Sequence, residues 1–273
     1  MDLNQETLQE DCSGSPGPAV QRVNVLGVGL SVLNLETAVT AIAKAVQTRT
    51  KGYVCVTGVH GVSEAQSDPV FRTILNRAFL CTPDGMPMVW MGKAAGFREM
   101  DRVYGPDLML EVFRWSQKRP VRHFFFGGAP GVAEELKASL EARFPGVQIG
   151  GCYTPPFRPL DEAEEADLKK QVTAARVDLF WVGLSTPKQE RFMAHYLDKL
   201  DATVMFGVGA AFDFHAGRVP QAPKWMQRSG LEWFFRLCKE PRRLWRRYLK
   251  NNPLFVARAF LQLARLRKYR LDA

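Results

Sequence analysis

HFFFGGAPG (123–131) runs directly into VAEELKASLEARF (132–144). A short apolar run ends in a glycine-rich turn and gives way to apolar residues at helical spacing, the pattern of a buried strand feeding a helix. Outward from it the alternation repeats. Toward the N-terminus stand VNVLGV (23–28), ETAVTAIAKAVQTR (36–49), YVCVT (53–57), a helical pattern from about 62 to 78, and FLCT (79–82). Toward the C-terminus follow VQIGG (147–151), a helix near 161–175, DLFWVGL (178–184), PKQERFMAHYLDKL (187–200) and TVMFGVG (203–209).

Such alternation predicts an α/β fold, a mostly parallel sheet with Rossmann-like βαβ units. The strands end in Gly, Thr or Pro, and ligands of open α/β sheets bind at those carboxyl ends. From about residue 221 only helical patterns remain: KWMQRSGLEWFFRLCKE, PRRLWRRYLKN and PLFVARAFLQLARLRKYR. The expected organisation is a mobile acidic leader over 1–21, an α/β catalytic domain over 22–220 and a basic C-terminal helical appendage over 221–273.

The 273 residues carry a net charge of +9 and five scattered cysteines without a C-x-x-C pair, which argues against a disulfide framework and a zinc site. No run reaches the roughly 18 apolar residues of a spanning helix, and the leader does not read as a secretory signal. A cytoplasmic protein is expected. Residues 236–273 hold twelve Lys and Arg against two acids, while the rest of the chain is almost balanced. A block of that kind marks a polyanionic partner, and Val256, Phe260 and Leu263 form an apolar stripe beside a polar one of Arg258, Gln262, Arg265 and Tyr269, predicting an amphipathic helix with a cationic face.

Several loops at expected strand ends carry chemistry. Gly127 and Gly128 begin a turn whose amides could cradle a diphosphate, though a plain strand-to-helix turn looks the same. Asp84, between Pro83 and Gly85, could be a general base or only a helix cap. Arg102 could bind phosphate or hold Asp84 ionised. Gln189 and Glu190 follow the buried run 178–184, and Asp213 follows the Gly207-Val208-Gly209 turn. Neither that turn nor Gly27-Val28-Gly29 completes G-x-G-x-x-G, because Phe212 and Val32 stand in the last position, which counts against an NAD(P) oxidoreductase. The four histidines have no i, i+4 partner and Asp-x-Asp is missing, so neither a metal nor any other cofactor is expected. In the tail Arg236, Arg242, Arg243, Arg246 and Arg247 interleave with Trp233, Trp245 and Tyr248.

Together TPDGMPMVW, the Arg102 region, FGGAPG, WVGLSTPKQE, GVGAAFDFHAG and APKWMQRSGLEWFFRLCKEPRRLWRRY resemble the WecG/TagA/CpsF family of bacterial glycosyltransferases, in order and spacing, over about residues 22–250. The resemblance implies inverting transfer from a UDP-sugar to an undecaprenyl-diphosphate-linked sugar in cell-surface polysaccharide assembly, at the inner face of the cell membrane. It implies Asp84 as catalytic base, Arg102 and Gln189 in the active-site pocket, and Arg236, Arg243 and Arg246 on an appendage that closes over the site and touches an anionic membrane. Where many members carry Thr-x-Asn after the second strand, this chain reads Val56-Thr57-Gly58 and then His60. The donor sugar is therefore open between N-acetylmannosamine, its uronate and a hexose such as glucose. A nucleic-acid partner is not expected, and a homo-oligomer is left open. The rival readings are a non-enzymatic membrane- or RNA-binding scaffold and the oxidoreductase; a scaffold has no need of Asp84, Arg102 and Gln189 at strand ends.

Overall fold

The computed structural model describes residues 20–271, so all but the last two residues of the expected leader lie outside the described residues. In chain order come β1 (Arg22–Val25), β2 (Val28–Ser31), α1 (Leu35–Gln47), β3 (Gly52–Thr57), α2 (Val59–Glu64), α3 (Pro69–Arg77), β4 (Leu80–Pro83), α4 (Met86–Ala94) and α5 (Gly105–Ser116). Next are β5 (Arg122–Gly127), α6 (Val132–Arg143), β6 (Gln148–Tyr153), α7 (Glu162–Ala175), β7 (Leu179–Gly183), α8 (Lys188–Tyr196) and β8 (Val204–Gly207). Beyond Gly207 every described element is helical: α9 (Ala211–His215), α10 (Lys224–Arg228), α11 (Glu232–Lys239) and α12 (Pro241–Leu263).

β3 to β8 form one six-stranded sheet in the order β4-β3-β8-β7-β5-β6, with every described pairing parallel. Its strands are apolar at nearly every position because both faces are covered. Tyr53, Cys55, Cys81, Phe124, Phe126, Phe180, Val182 and Met205 point into one core, whereas Val54, Leu80, Phe125, Leu179, Trp181, Val204 and Phe206 point into the other. The first core is closed by α2, α3, α7, α8 and α12, the second by α1, α5, α6 and α9.

Three expectations are corrected. The run at 23–28 is not a strand of the parallel sheet: Leu26 and Gly27 have φ of 53° and 85°, which suits a tight turn between right-twisted strands, and β1 folds back on β2 as an antiparallel hairpin. The helical pattern over 62–78 breaks in two, because Asp68 caps a new helix by accepting from Phe71 N at 2.9 Å and Pro69 takes its first turn. In the tail the first expected helix is split into α10 and α11, while the last two merge into α12, which runs through Pro253.

α12 ends at Leu263, before Arg265 and Tyr269 of the expected polar stripe, and turns Gln262 of that stripe inward. Gln262 accepts from Leu26 N at 2.9 Å and donates to the Asn24 carbonyl at 2.8 Å, while Asn24 donates to the Tyr269 carbonyl at 2.7 Å. These bonds satisfy hairpin groups at the turn. Phe255 and Ala259 beside them enter the first core. The apolar stripe is left facing outward, with Leu249 68%, Val256 66%, Phe260 66% and Leu263 49% exposed.

Inside the second core lies His123, fully buried and stacked on Phe113 at 4.0 Å. Trp181 donates its indole N–H to His123 Nδ1 at 3.0 Å, which puts the imidazole proton on Nε2, 2.8 Å from Ser116 Oγ. Burial lowers its pKa to about 3, well under the ordinary 6.5. A group whose folded pKa is depressed binds more protons when unfolded, so its contribution is complete above about 6.5 and is lost as pH falls toward 3. In His123→Leu, Trp181 and Ser116 lose their partner, which should cost about 1–3 kcal/mol at neutral pH. The stability loss between pH 7 and pH 4 should shrink in that variant, as measured by urea melts at both values; His60, lowered to about 4, retains a smaller share.

Candidate active site

The carboxyl edge of the sheet gathers the loops after β3, β4, β5, β7 and β8. Asp84 follows β4 directly, and its amide donates to the Thr57 carbonyl at 3.1 Å, extending the β3–β4 pairing by one step. Gly85, not Asp84, holds the N-cap position of α4, and no side chain caps that helix. The Asp84 carboxylate is therefore not spent on capping. It accepts the Gly105 amide and lies against Gly58, where a Cβ would stand 3.4 Å from Asp84 Oδ2. Its pKa is raised to about 6, first by burial and next by the neighbouring Glu232 carboxylate; Arg102, Arg236 and the Gly105 amide pull the other way.

Arg102 reaches this loop from the segment before α5. Its Nε donates to the Asp84 carbonyl at 3.0 Å, one terminal nitrogen donates to Gln227 Oε1 at 2.8 Å, and the other pairs with the Glu232 carboxylate. The guanidinium also lies 4.0 Å from the centroid of the Tyr104 ring. Arg236 comes from α11, one turn beyond Glu232. Burial disfavours its charge, yet Tyr248, Tyr104, Glu232 and Asp84 around it hold it protonated. Together with Asp213, Phe214, Phe235, Lys239 and Glu240 it lines a cleft between α9 and α11.

Gln189 and Glu190, buried at the start of α8, hold each other. Glu190 Oε1 accepts from Gln189 Nε2 at 3.0 Å and from Thr186 Oγ1 at 2.8 Å, while Gln189 Oε1 and Glu190 Oε2 have no protein partner. Burial pushes the Glu190 pKa up. Gly207 and Gly209 make room for the amide, since a Cβ at either would come within 3.1 to 3.4 Å of Gln189. Thr57 is buried at the end of β3, where its hydroxyl receives the Cys81 thiol at 3.3 Å.

Other expected site residues are placed differently. His60 on α2 accepts from Asn251 of α12 at 3.1 Å and is held neutral, its pKa lowered to about 4 by burial and by Arg247, so it docks the tail and forms no ion pair with Glu64 near neutral pH. Gly127 and Gly128 are needed for packing: a Cβ on Gly127 would stand 2.8 Å from the Gly183 backbone, and the Gly128 amide is already spent on the Gly183 carbonyl at 3.0 Å. Arg246 is exposed over the Trp245 ring. The side chain of Arg243 lies outside the described residues. Gln227, Glu232 and Tyr104 escaped the sequence reading. Only Glu232 left a signal, as an isolated acid in the basic, aromatic stretch 224–239.

A parallel α/β sheet with a half-buried carboxylate of raised pKa between two arginines at its carboxyl edge has the layout of a group-transfer enzyme's catalytic domain. The model of the glycosyl transferase WecG/TagA/CpsF family matches residues 23–269, and the chain belongs to that family. It is a glycosyltransferase, which sets aside the scaffold and the oxidoreductase. Similar proteins include two named N-acetylglucosaminyldiphosphoundecaprenol N-acetyl-beta-D-mannosaminyltransferase. That of Bacillus spizizenii is 33% identical over 193 residues, covering 71% of this chain and 72% of the relative. That of Bacillus subtilis is 30% identical over 185 residues, covering 68% and 70%.

Because the Gly127 φ of 115° and its contact with the Gly183 backbone both exclude a side chain, Gly127→Ala is expected to destabilise the fold. A loss of about 2 kcal/mol or more should appear in thermal or denaturant melts, whatever ligand is present.

Proposed function

We propose that the protein moves a sugar from a UDP-sugar to a polyprenyl-diphosphate-linked sugar at an anionic membrane surface, in the assembly of a bacterial cell-surface polysaccharide. The observation that carries this reading is Asp84, a carboxylate with its pKa near 6 and no capping duty, flanked by Arg102 and Arg236. In a single, inverting displacement Asp84 takes the proton of the acceptor hydroxyl as that oxygen attacks the anomeric carbon, and the UDP leaves from the opposite face. Arg236, in the cleft with Lys239, supplies positive charge to the departing diphosphate; Arg243 and Arg246 are the further arginines assigned to it. Gln189, set over the bare turn of Gly207 and Gly209, serves the donor side of the site. The relatives' names support an acceptor that is a sugar on undecaprenyl diphosphate. For the donor, N-acetylmannosamine, its uronate and a hexose remain the candidates, since the Thr57-Gly58 sequence departs from the usual pattern.

The membrane part of the reading rests on α12. No helix among the described residues is long and apolar enough to cross a bilayer. The outward stripe of Leu249, Val256, Phe260 and Leu263, flanked by exposed Arg242, Arg246 and Lys250, suits a helix lying in the interface of an anionic leaflet. The reading is of a peripheral enzyme acting on the cytoplasmic side of the membrane.

A panel of UDP-sugars with a short-chain polyprenyl-diphosphate-N-acetylglucosamine acceptor tests the reaction. Transfer with one of them should survive EDTA, rise with pH through about 6 as Asp84 ionises, and fall about a hundredfold or more in Asp84→Asn. Near-normal turnover of the folded variant would refute Asp84 as the base.

Co-sedimentation with anionic vesicles tests the surface. Binding should weaken as salt is raised, and Val256→Ser with Phe260→Ser should reduce it at least about tenfold, because each buried side chain of that size contributes about 1.5–3 kcal/mol. Vesicle binding indifferent to both changes would remove α12 as the contact.

A further inference from the structure

Glu232 belongs to the helical tail, yet its carboxylate lies in the catalytic loop. It pairs with Arg102, whose Nε holds the backbone carbonyl of Asp84 and whose remaining nitrogen holds Gln227 of α10. Gln227 in turn donates to the Ala222 carbonyl at 2.7 Å, and the guanidinium ties the β4 loop to the end of α10 and the start of α11. The pair is largely shielded from water, with the Arg102 side chain 10% and that of Glu232 18% exposed. Three of the Arg102 donor groups are thus committed to the protein. Arg102 is therefore not among the groups that hold the phosphate, and its partner Glu232 places a second negative charge beside the carboxylate proposed as the base.

We infer that Glu232 is a positioning residue which, by holding the Arg102 guanidinium beside the Asp84 loop, sets the protonation of Asp84 and so its readiness as a base. The inference rests on the transfer reading for the role of Asp84, but the electrostatic coupling stands on the geometry. The charged or titratable groups facing Asp84 are Glu232 and Arg236 from α11, Arg102 from the segment before α5, and Tyr104 beside it. Glu232 is the member of this set that raises the Asp84 pKa, since the two arginines lower it. Without the Glu232 charge, Asp84 keeps Arg102 and Arg236 as its charged neighbours and moves toward an ordinary carboxylate, a weaker base. Readiness of the base then depends on a residue of the tail, reached through Arg102.

The test follows the isotope-labelled carboxyl carbon of Asp84 by NMR titration of the full chain, its resonance assigned by its disappearance in Asp84→Asn. In the wild type the midpoint should lie near 6. Glu232→Gln keeps an acceptor for Arg102 but removes the charge, and its midpoint should move down toward the ordinary carboxylate range, as should the acid limb of kcat/KM. Glu232→Asp keeps the charge and should stay near the wild-type value. An unchanged midpoint in Glu232→Gln would overturn the inference. Equal shifts in Gln and Asp variants would overturn it too, by showing that shape and not charge is at work. If no UDP-sugar is transferred while the midpoint still moves as described, the transfer reading fails and the coupling between Glu232 and Asp84 is upheld.

Discussion

A parallel sheet with two apolar faces must be covered on both, and this requirement shapes the molecule. Once helices occupy the faces, the remaining place for polar chemistry is the carboxyl edge, where the backbone leaves its pairing. There the strands end on residues that leave little bulk: Gly127 against Gly183, Gly58 beside Asp84, Gly207 and Gly209 beneath Gln189. Bareness at that edge serves close approach of backbone and side chain within the protein before it serves any ligand, as the engaged Gly128 amide illustrates.

Covering the first face takes more than the sheet's own crossover helices. The hairpin of β1 and β2 and the end of α12 complete it, with Phe255 and Ala259 in the same core as Val25 and Leu30. The tail is accordingly fixed at places of different character. Near the hairpin it is held by Gln262 and apolar packing, at α2 by the Asn251–His60 hydrogen bond, and near the Asp84 loop by Arg102. The first two attachments are neutral, whereas the third is an ion pair next to a titrating carboxylate.

The fold is legible where apolar runs and helical spacing are written in consecutive residues, as in the strands of the parallel sheet and in α6, α7 and α8. α4 and α5 are less evident: in α5 Leu108, Met109, Val112 and Phe113 have helical spacing, but the Gly105-Pro106 pair that starts the helix has the composition of a turn. The hairpin was misread because Leu26 at positive φ is a choice that neighbours such as Gln66, donating to the Leu26 carbonyl, impose from far away. Site residues divide in the same manner. Asp84 and Gln189 are marked by their place after strands, while Glu232 and Gln227 matter only because Arg102, more than a hundred positions earlier, reaches them. The direction in which α12 faces was likewise beyond local patterning: both stripes are visible in the sequence, but the partner that selects the polar one, the Asn24–Leu26 backbone, is at the other end of the chain.

That meeting of ends has a consequence for the order of assembly during synthesis. Asn24 and Leu26 leave the ribosome early, yet the residue that bonds both, Gln262, is made some 236 positions after Leu26. Until then the face of the sheet that the hairpin and α12 share stays incomplete, as does the junction at Arg102. The nascent chain therefore carries a nearly finished sheet without its closure, and α12, translated after the sheet, is at once a closing piece of the core and the strip with the most exposed apolar side chains. Maturation of the core and presentation of that strip coincide in time, so a chain stalled before α12 would expose its unfinished interior in place of that strip.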